Sequence, residues 1–364
     1  MMGKKAGDNS QILALAEALA WPFETKHLTY RKTELLTNLF AGPTLMGLIQ
    51  SQSSALEPPW PELIISAGRR NEPLVRWIQK QAGGPKATKL VHVGRPWAKH
   101  ECFDLIVTTP QYRLPQKPMI LHNEAPLHRV SEERLAAARG AWHSRLEHLP
   151  APRIAVALGG NAGPYNFDTE NGALLGHYIN QMAELWGGSL MITSSARTPA
   201  KAIDAMAAQI TAPCELYRWQ KNDPDNPYFG YLSMADEIVV TCDSMSMLAE
   251  AIATAKPVYI FDLLRGGGSN RPPVPVQSSI AKRGLLDRLG DFRLQPIAYK
   301  VGMVTGPQRL TRDVGIIHRR QVEAGRAAWL GPQWLNDGGA KFSPSGGPLP
   351  DLQRAANRVR ALFS

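Results

Sequence analysis

Between Glu62 and Leu263 the chain alternates two kinds of segment: short apolar runs that end in Gly, Ser, Thr or Asn, and helical patterns that follow them. ELIISAG (Glu62–Gly68), KLVHVG (Lys89–Gly94), FDLIVTT (Phe103–Thr109) and PMILHN (Pro118–Asn123) read as strands, with a helix over Arg70–Gln81 between the first two. Such alternation means βαβ units and a parallel sheet. Gln11–Ala20 reads as an amphipathic helix, preceded by GKKAGDNS with no strand in front of it. A doubly wound domain begins with a strand feeding that loop, so the first strand is expected to be missing, with a late start site or an open sheet edge as the two explanations.

The pattern resets at Leu146–Pro152, where HLPAPR carries two prolines that block helix continuation. A second series follows: strands at Arg153–Gly160, Ser189–Ser195, Cys214–Trp219, Asp236–Asp243 and, as the last one, Pro257–Leu263. The helices are expected at Gly172–Trp186, Pro199–Ile210, Tyr228–Met234 and Ser246–Thr254. Gly331–Leu349 is Gly- and Pro-rich and reads as a loop before a terminal amphipathic helix, Asp351–Phe363. With 364 residues the chain is long enough for two domains. The expected boundaries are 1–149, 150–330 and, for the tail, 331–364.

Lys and Arg outnumber Asp and Glu by 41 to 31, a net charge of +10. The excess is spread along the chain and favours anionic partners (nucleic acid, an acidic membrane surface or phosphorylated ligands), with a plain solvated basic surface as the competing reading. No RNA-binding aromatic motif accompanies it, so nucleic acid is not expected. The three cysteines, Cys102, Cys214 and Cys242, are few and far apart, which argues for a reducing compartment and against a disulfide framework. CxxC and Cys/His metal spacings are missing, so no metal is expected. No apolar stretch reaches the length of a membrane span. Lys4, Lys5 and the run from Ile12 imitate a signal peptide, but Asp8 and Glu17 interrupt it. The expected location is the cytoplasm, with peripheral attachment to the inner face of a membrane as an open extension.

Ligands of open α/β sheets bind beyond the carboxyl ends of the strands, so the loops there hold the candidates. In the second series these are GGNAGPYNF (Gly159–Phe167), SSARTP (Ser194–Pro199) and CDSMSMLAE (Cys242–Glu250). Gly159, Gly160 and Gly163 let a backbone approach a phosphate or sugar closely, although GGNAG is neither a GxGxxG fingerprint nor a P-loop. Asp243, Ser244 and Ser246 stand where a helix should begin. Hydroxyls and helix N–H groups there suit a diphosphate, and a plain N-cap is the competing reading. Glu250, one to two turns further, can accept from both ribose hydroxyls or be an ordinary exposed helix glutamate.

In the first series Lys4, Lys5, Arg69, Arg70 and Arg95 would converge if all their loops follow strand ends, attracting phosphates or an acidic acceptor. Asp8 is the candidate general base, with His92, Glu124 and His128 as rivals and helix capping as the alternative role. DPDN (Asp223–Asn226) superficially matches a metal-binding DxD but reads as a turn.

KAGDNSQ, SAGRR, HVGRP, LHRV, ALGGNAGPYNF, SSARTP and above all NPYFGYLSMADEIVVTCDSMSMLAEA resemble the mitochondrial fission "elongated mitochondria" family, over about Gly3–Leu263. Its plant members are implicated in recruiting fission machinery to mitochondria. Its bacterial members are regarded as glycosyltransferases of GT-B architecture or nucleoside-diphosphate-sugar epimerases. Asp236–Pro257 is also similar to the donor-binding segment of the transferase that completes lipid II, where a glutamate in the position of Glu250 holds the ribose.

The resemblance implies an α/β GT-B chain of two Rossmann-like domains facing across a cleft, with the C-terminal helix returning to the first. The donor would be an NDP-sugar, held by Gly159, Gly160, Asn161, Ser195, Arg197, Asp243, Ser244, Ser246 and Glu250, with no other cofactor. The acceptor, an envelope lipid or saccharide, would meet Asp8, Lys5, Arg69, Arg70, His92 and Arg95. An epimerase without an acceptor and a non-catalytic adaptor are the alternatives.

Overall fold

The computed structural model describes residues 1–31, 42–263 and 312–364. The chain divides into two compact units, Met1–Arg129 with Leu349–Ser364, and Val130–Pro348. The change of unit falls at Val130 rather than at the proline linker near 149, and the terminal helix belongs to the first unit. The stretch 264–311 of the expected second domain lies outside the described residues.

The first unit contains α1 (Ala6–Leu19), β1 (Leu63–Ala67), α2 (Glu72–Gln81), β2 (Lys89–Val93), β3 (Leu105–Thr108) and β4 (Ile120–His122). The four strands form a wholly parallel sheet in the order β1-β2-β3-β4. Side chains alternate across it. Ile65, Ala67, Val91, Val93, Leu105 and Val107 pack on one face with α1 and the chain's terminal helix. Ile64, Leu90, Ile106 and Ile120 pack on the other with Leu74, Val75 and Ile78 of α2. Covered on both faces, the strands are apolar at nearly every position, which is why they read so clearly.

The strand expected to be missing is present as a stub. Met2 pairs in parallel with His27, donating to the Lys26 carbonyl at 2.8 Å and accepting from the Leu28 N–H at 3.0 Å. The Met1 amine donates to the Ile65 carbonyl of β1 at 2.9 Å. Residues 1–3 therefore lie between residues 26–28 and β1, and extend the sheet beyond β1. Helix α1 also starts earlier than the apolar periodicity predicts, at Ala6, because Asn9 closes the turn below it by exchanging two 2.8 Å bonds with the Gly3 backbone.

The second unit contains α3 (Glu132–Leu146), β5 (Arg153–Ala157), α4 (Thr169–Trp186), β6 (Ser189–Thr193), α5 (Ala200–Ala207), β7 (Cys214–Tyr217), α6 (Tyr228–Met234), β8 (Glu237–Thr241), α7 (Met245–Ile252), β9 (Val258–Phe261), α8 (Gly315–Glu323), β10 (Ala328–Leu330) and α9 (Pro332–Asn336). Its six strands are parallel in the order β10-β9-β8-β5-β6-β7. Numbered within the unit, this is the Rossmann order, with the direction of winding reversing between β5 and β8. The strand at 258–261 is thus not the last, since β10 follows it, and α9 interrupts the tail expected to be a loop. Helix α10 (Asp351–Arg360) closes the first unit, burying Ala355, Ala356 and Val359 against α1. Among the described residues no helix is long and apolar enough to cross a membrane.

Candidate functional site

The reversal between β5 and β8 opens a crevice at the carboxyl ends of those strands, and the conspicuous loops of the second unit meet there. Gly159 follows β5. Its N–H donates to the Thr241 hydroxyl at 2.8 Å, and a Cβ on it would overlap the Asp243 carboxylate. Gly160 has φ +140° and packs so closely on the Arg197 carbonyl that no other residue fits. The loop after β6 is tied to the same turn. The Ser195 hydroxyl donates to the Gly159 carbonyl, the Thr198 hydroxyl donates to it at 2.6 Å, and the Asn161 N–H donates to the Arg197 carbonyl at 3.1 Å. Asn161 spends its side-chain oxygen on the Phe167 N–H at 2.8 Å, shaping the rest of the glycine loop.

Asp243 is the hub. Its side chain has no exposure, accepts from Thr241 at 2.7 Å and faces the Arg197 guanidinium at 3.0 Å. Burial pushes its carboxyl above the usual range, while Arg197 and the Thr241 hydroxyl pull the other way. A carboxylate so enclosed does not present itself to a ligand, contrary to its expected role as a contact. It holds Arg197, whose own side chain is 42% exposed.

The N-terminus of α7 completes the crevice. Ser244 sits at the N-cap, yet its side chain makes no capping bond, so the competing reading of Ser244 as a plain cap fails. Uncapped N–H groups at a helix start favour an anion. Ser246 is half-buried in this first turn. Glu250 is only 8% exposed, not an ordinary surface glutamate, and the Tyr228 hydroxyl donates to its Oε2 at 2.6 Å. Burial and the neighbouring carboxylate both raise the Tyr228 pKa, so the phenol keeps its proton. Tyr228 and Thr198 are site residues that sequence reasoning missed. Tyr228 stands within the NPYFGYLSMAD stretch, but no spacing rule links it to a glutamate one strand away.

In the first unit the corresponding crevice lies between the Met1–Gly3 stub and β1. Gly68 ends β1 with φ +75°, and a Cβ there would touch the Asp8 carboxylate at 3.1 Å. This contact parallels that between Gly159 and Asp243. Asp8 itself lies in the first turn of α1 rather than in the loop, and Lys5 is the exposed N-cap. Arg69 and Arg70 follow β1. Arg69 stacks over Trp97 at 4.4 Å and Arg95 lies 5.6 Å from the Tyr112 ring.

His92 does not join them. It is the fourth residue of β2 and shares the face of Leu90, so alternation turns it into the core, fully buried against Phe103 at 5.0 Å between ring centroids. Burial pushes its pKa down to about 3, leaving a neutral ring that can neither bind phosphate nor serve as a solvent-facing base. Among the described residues no group of His, Cys, Asp and Glu could hold a metal ion.

Residues 6–301 match the pattern of the family described as Mitochondrial fission ELM1. The chain belongs to that family. A mitochondrial fission protein ELM1 of Arabidopsis thaliana is 26% identical over 237 residues, 59% of this chain and 54% of the relative, so the chain spans about half the length of that plant protein. An uncharacterized protein of Rickettsia prowazekii is 25% identical over 293 residues, 71% of this chain and 80% of the relative. Among solved structures, S. aureus MnaA with UDP has a TM-score of 0.46 at 11% identity, covering 100% of this chain and 95% of that one. WaaG, a glycosyltransferase involved in lipopolysaccharide biosynthesis, has a TM-score of 0.41 at 9% identity, covering 98% and 97%.

Proposed function

We propose that the second unit binds the nucleotide of an NDP-sugar and that the chain is a GT-B glycosyltransferase delivering the sugar to an acceptor bound by the first unit. The observation that carries this reading is the uncapped start of α7 beside the half-exposed Arg197, at the point where the sheet reverses. A diphosphate placed there accepts from the first N–H groups of α7 and from Ser244 and Ser246, and lies against Arg197. Gly159 and Gly160 bring bare backbone to the same place. Glu250, with its rotamer fixed by Tyr228, accepts from the two vicinal ribose hydroxyls. Preorganised donors of this kind stabilise the charge that develops on a departing diphosphate.

In the first unit, Asp8 takes the proton of the acceptor hydroxyl, and Lys5, Arg69, Arg70 and Arg95 attract an anionic acceptor. An envelope lipid or saccharide carrying phosphate fits that demand, as does peripheral binding to an anionic membrane by a chain of charge +10.

The test is a thermal-shift comparison of UDP, GDP, CMP, ADP and dTDP on the native chain and on Glu250→Ala. A nucleotide at about 100 times its Kd stabilises a protein by about 2.7 kcal/mol, several degrees of Tm. One nucleotide is expected to do so, and the variant to lose the response. If none does while the chain is folded, the donor site is wrong. The family relationship then favours the second reading, an adaptor in which Glu250→Ala leaves partner recruitment intact.

A further inference from the structure

Strands β1, β2 and β3 are neighbours in the parallel sheet. The loops that leave their carboxyl ends, 66–71, 94–99 and 109–116, therefore start within about 10 Å of one another, two strand spacings. These loops carry Arg69, Arg70, Arg95, Lys99 and Arg113 and no Asp or Glu. Side chains lock them together. Arg69 of the first loop stacks 4.4 Å over Trp97 of the second, and Arg95 of the second lies 5.6 Å over Tyr112 of the third. The backbone of Trp97 is gripped as well, since its N–H donates to both carboxylate oxygens of Glu72, at 2.9 and 3.0 Å. Fixed at backbone and ring, Trp97 is nonetheless 37% exposed. A large flat ring held rigidly at the surface has already lost the freedom that binding would otherwise cost.

We propose that these three loops seat a phosphorylated sugar, with the phosphate against Arg69, Arg70 and Arg95 and the sugar ring on Trp97. The seat rests on the reading of the first unit as the acceptor-binding half, and it narrows the acceptor to one that presents phosphate and sugar together. A guanidinium that stacks by its face keeps its N–H donors in its own plane, aimed at the rim of the stack, where a phosphate can take two of them at once. A sugar ring has a face of C–H groups, weakly positive, that suits the negative face of an indole. Its hydroxyls stay in water or reach for a base. A Cβ on Gly68 would touch the Asp8 carboxylate, so the candidate base stands beside the first of the loops. An extended nucleic-acid strand calls for a row of stacking rings along a groove, whereas these two pairs span the size of one phosphate and one ring. A bare anionic bilayer would satisfy the cations without any need for an indole clamped by Glu72 and Arg69.

Isothermal titration of the whole chain, with no nucleotide present, compares inorganic phosphate, the free sugars, and the 1-phosphates of glucose, mannose and N-acetylglucosamine. One ester at least should bind about tenfold tighter than phosphate or its own free sugar, as two linked contacts do. Trp97→Leu keeps an apolar side chain without a flat ring. It should bring that ester down to the level of phosphate, and Trp97→Phe should recover most of the difference. Arg95→Gln should weaken phosphate and ester alike. The seat is wrong if no ester exceeds phosphate, or if Trp97→Leu binds the ester as the native chain does. Loss of phosphate and ester together in both Trp97 variants would make Trp97 a structural residue and overturn the stacking. The same headgroup is then presented free and on a prenyl chain in phosphatidylcholine vesicles. Tighter binding of either form supports the seat and tells a soluble acceptor from a lipid-borne one. Phosphatidylglycerol vesicles that bind as tightly, and that Trp97→Leu does not weaken, would overturn it in favour of a plain anionic surface. The nucleotide screen separates this seat from the donor site. An ester that binds while no nucleotide does keeps the seat and removes the transferase; a nucleotide that binds while no ester does removes the seat alone.

Discussion

Glu72 and His92 show how a charged-looking pair can be neutral. Their nearest atoms are 4.0 Å apart, and both side chains are buried. Burial raises the Glu72 pKa to about 7, against the opposing pull of the Ala98 and Trp97 N–H groups. Burial lowers that of His92 to about 3. Between about pH 3 and pH 7 both are neutral, and there is no ion pair. What Glu72 does is hold a loop: it accepts from Trp97 N–H at 2.9 Å and Ala98 N–H at 2.8 Å, and so sets the indole on which Arg69 stacks. An acid whose folded pKa lies above its unfolded value contributes stability that is complete below the unfolded pKa, near 4.5, and is lost as pH rises through about 7. Glu72→Gln keeps the size and one acceptor oxygen but cannot ionise. The native chain should therefore lose on the order of 2 kcal/mol relative to Glu72→Gln between pH 5 and pH 8. Urea denaturation at the two pH values measures this, and parallel pH profiles would show that Glu72 stays ionised in the fold.

Elements differ in how much of themselves they write into the sequence. The buried strands were legible because both faces of each sheet are covered, and α6 was read to its exact ends at Tyr228–Met234. Strand β10 was not: three residues at the sheet's edge carry no usable pattern. Helix α3 was missed because it buries only Leu146 of its own length. Its cap was nonetheless visible, since Ser131 precedes two glutamates and accepts from the Arg134 N–H at 3.2 Å. The loops of the candidate site were legible as loops, whereas the Tyr228–Glu250 pair joins α6 to α7 across the intervening β8, which no local pattern encodes. The seating of α6 in turn depends on α3. A Cβ on Gly230 would overlap the Trp142 indole of α3, so a glycine is what lets these helices close. Gly230→Ala should displace α6, cost about 1–3 kcal/mol as overpacking does, and weaken nucleotide binding by detuning Tyr228. A melting curve and a nucleotide titration check the two effects, and loss of stability without loss of affinity would uncouple α6 from the site.

At the scale of the molecule, the first unit is discontinuous. Its core borrows Ala355, Ala356 and Val359 from the end of the chain, and the Asp351 carboxylate accepts from the Glu124 and Ala125 N–H groups at 2.9 Å. The second unit is one continuous stretch, Val130–Pro348, whose described residues form a six-stranded sheet in the Rossmann order. Two cores of different make-up should respond to different perturbations, and calorimetry can read them apart because chains of more than one domain need not melt in a single step. Val359→Asp places a charge in the fully buried core of the first unit and should cost it roughly 3–5 kcal/mol. The transition of the second unit should stay where it is. The nucleotide that binds the Glu250 site should do the reverse, raising the second transition and leaving the first. A single transition that moves under both perturbations would mean that the units melt as one body. If the nucleotide instead raised the transition that Val359→Asp lowers, the donor site would belong to the first unit.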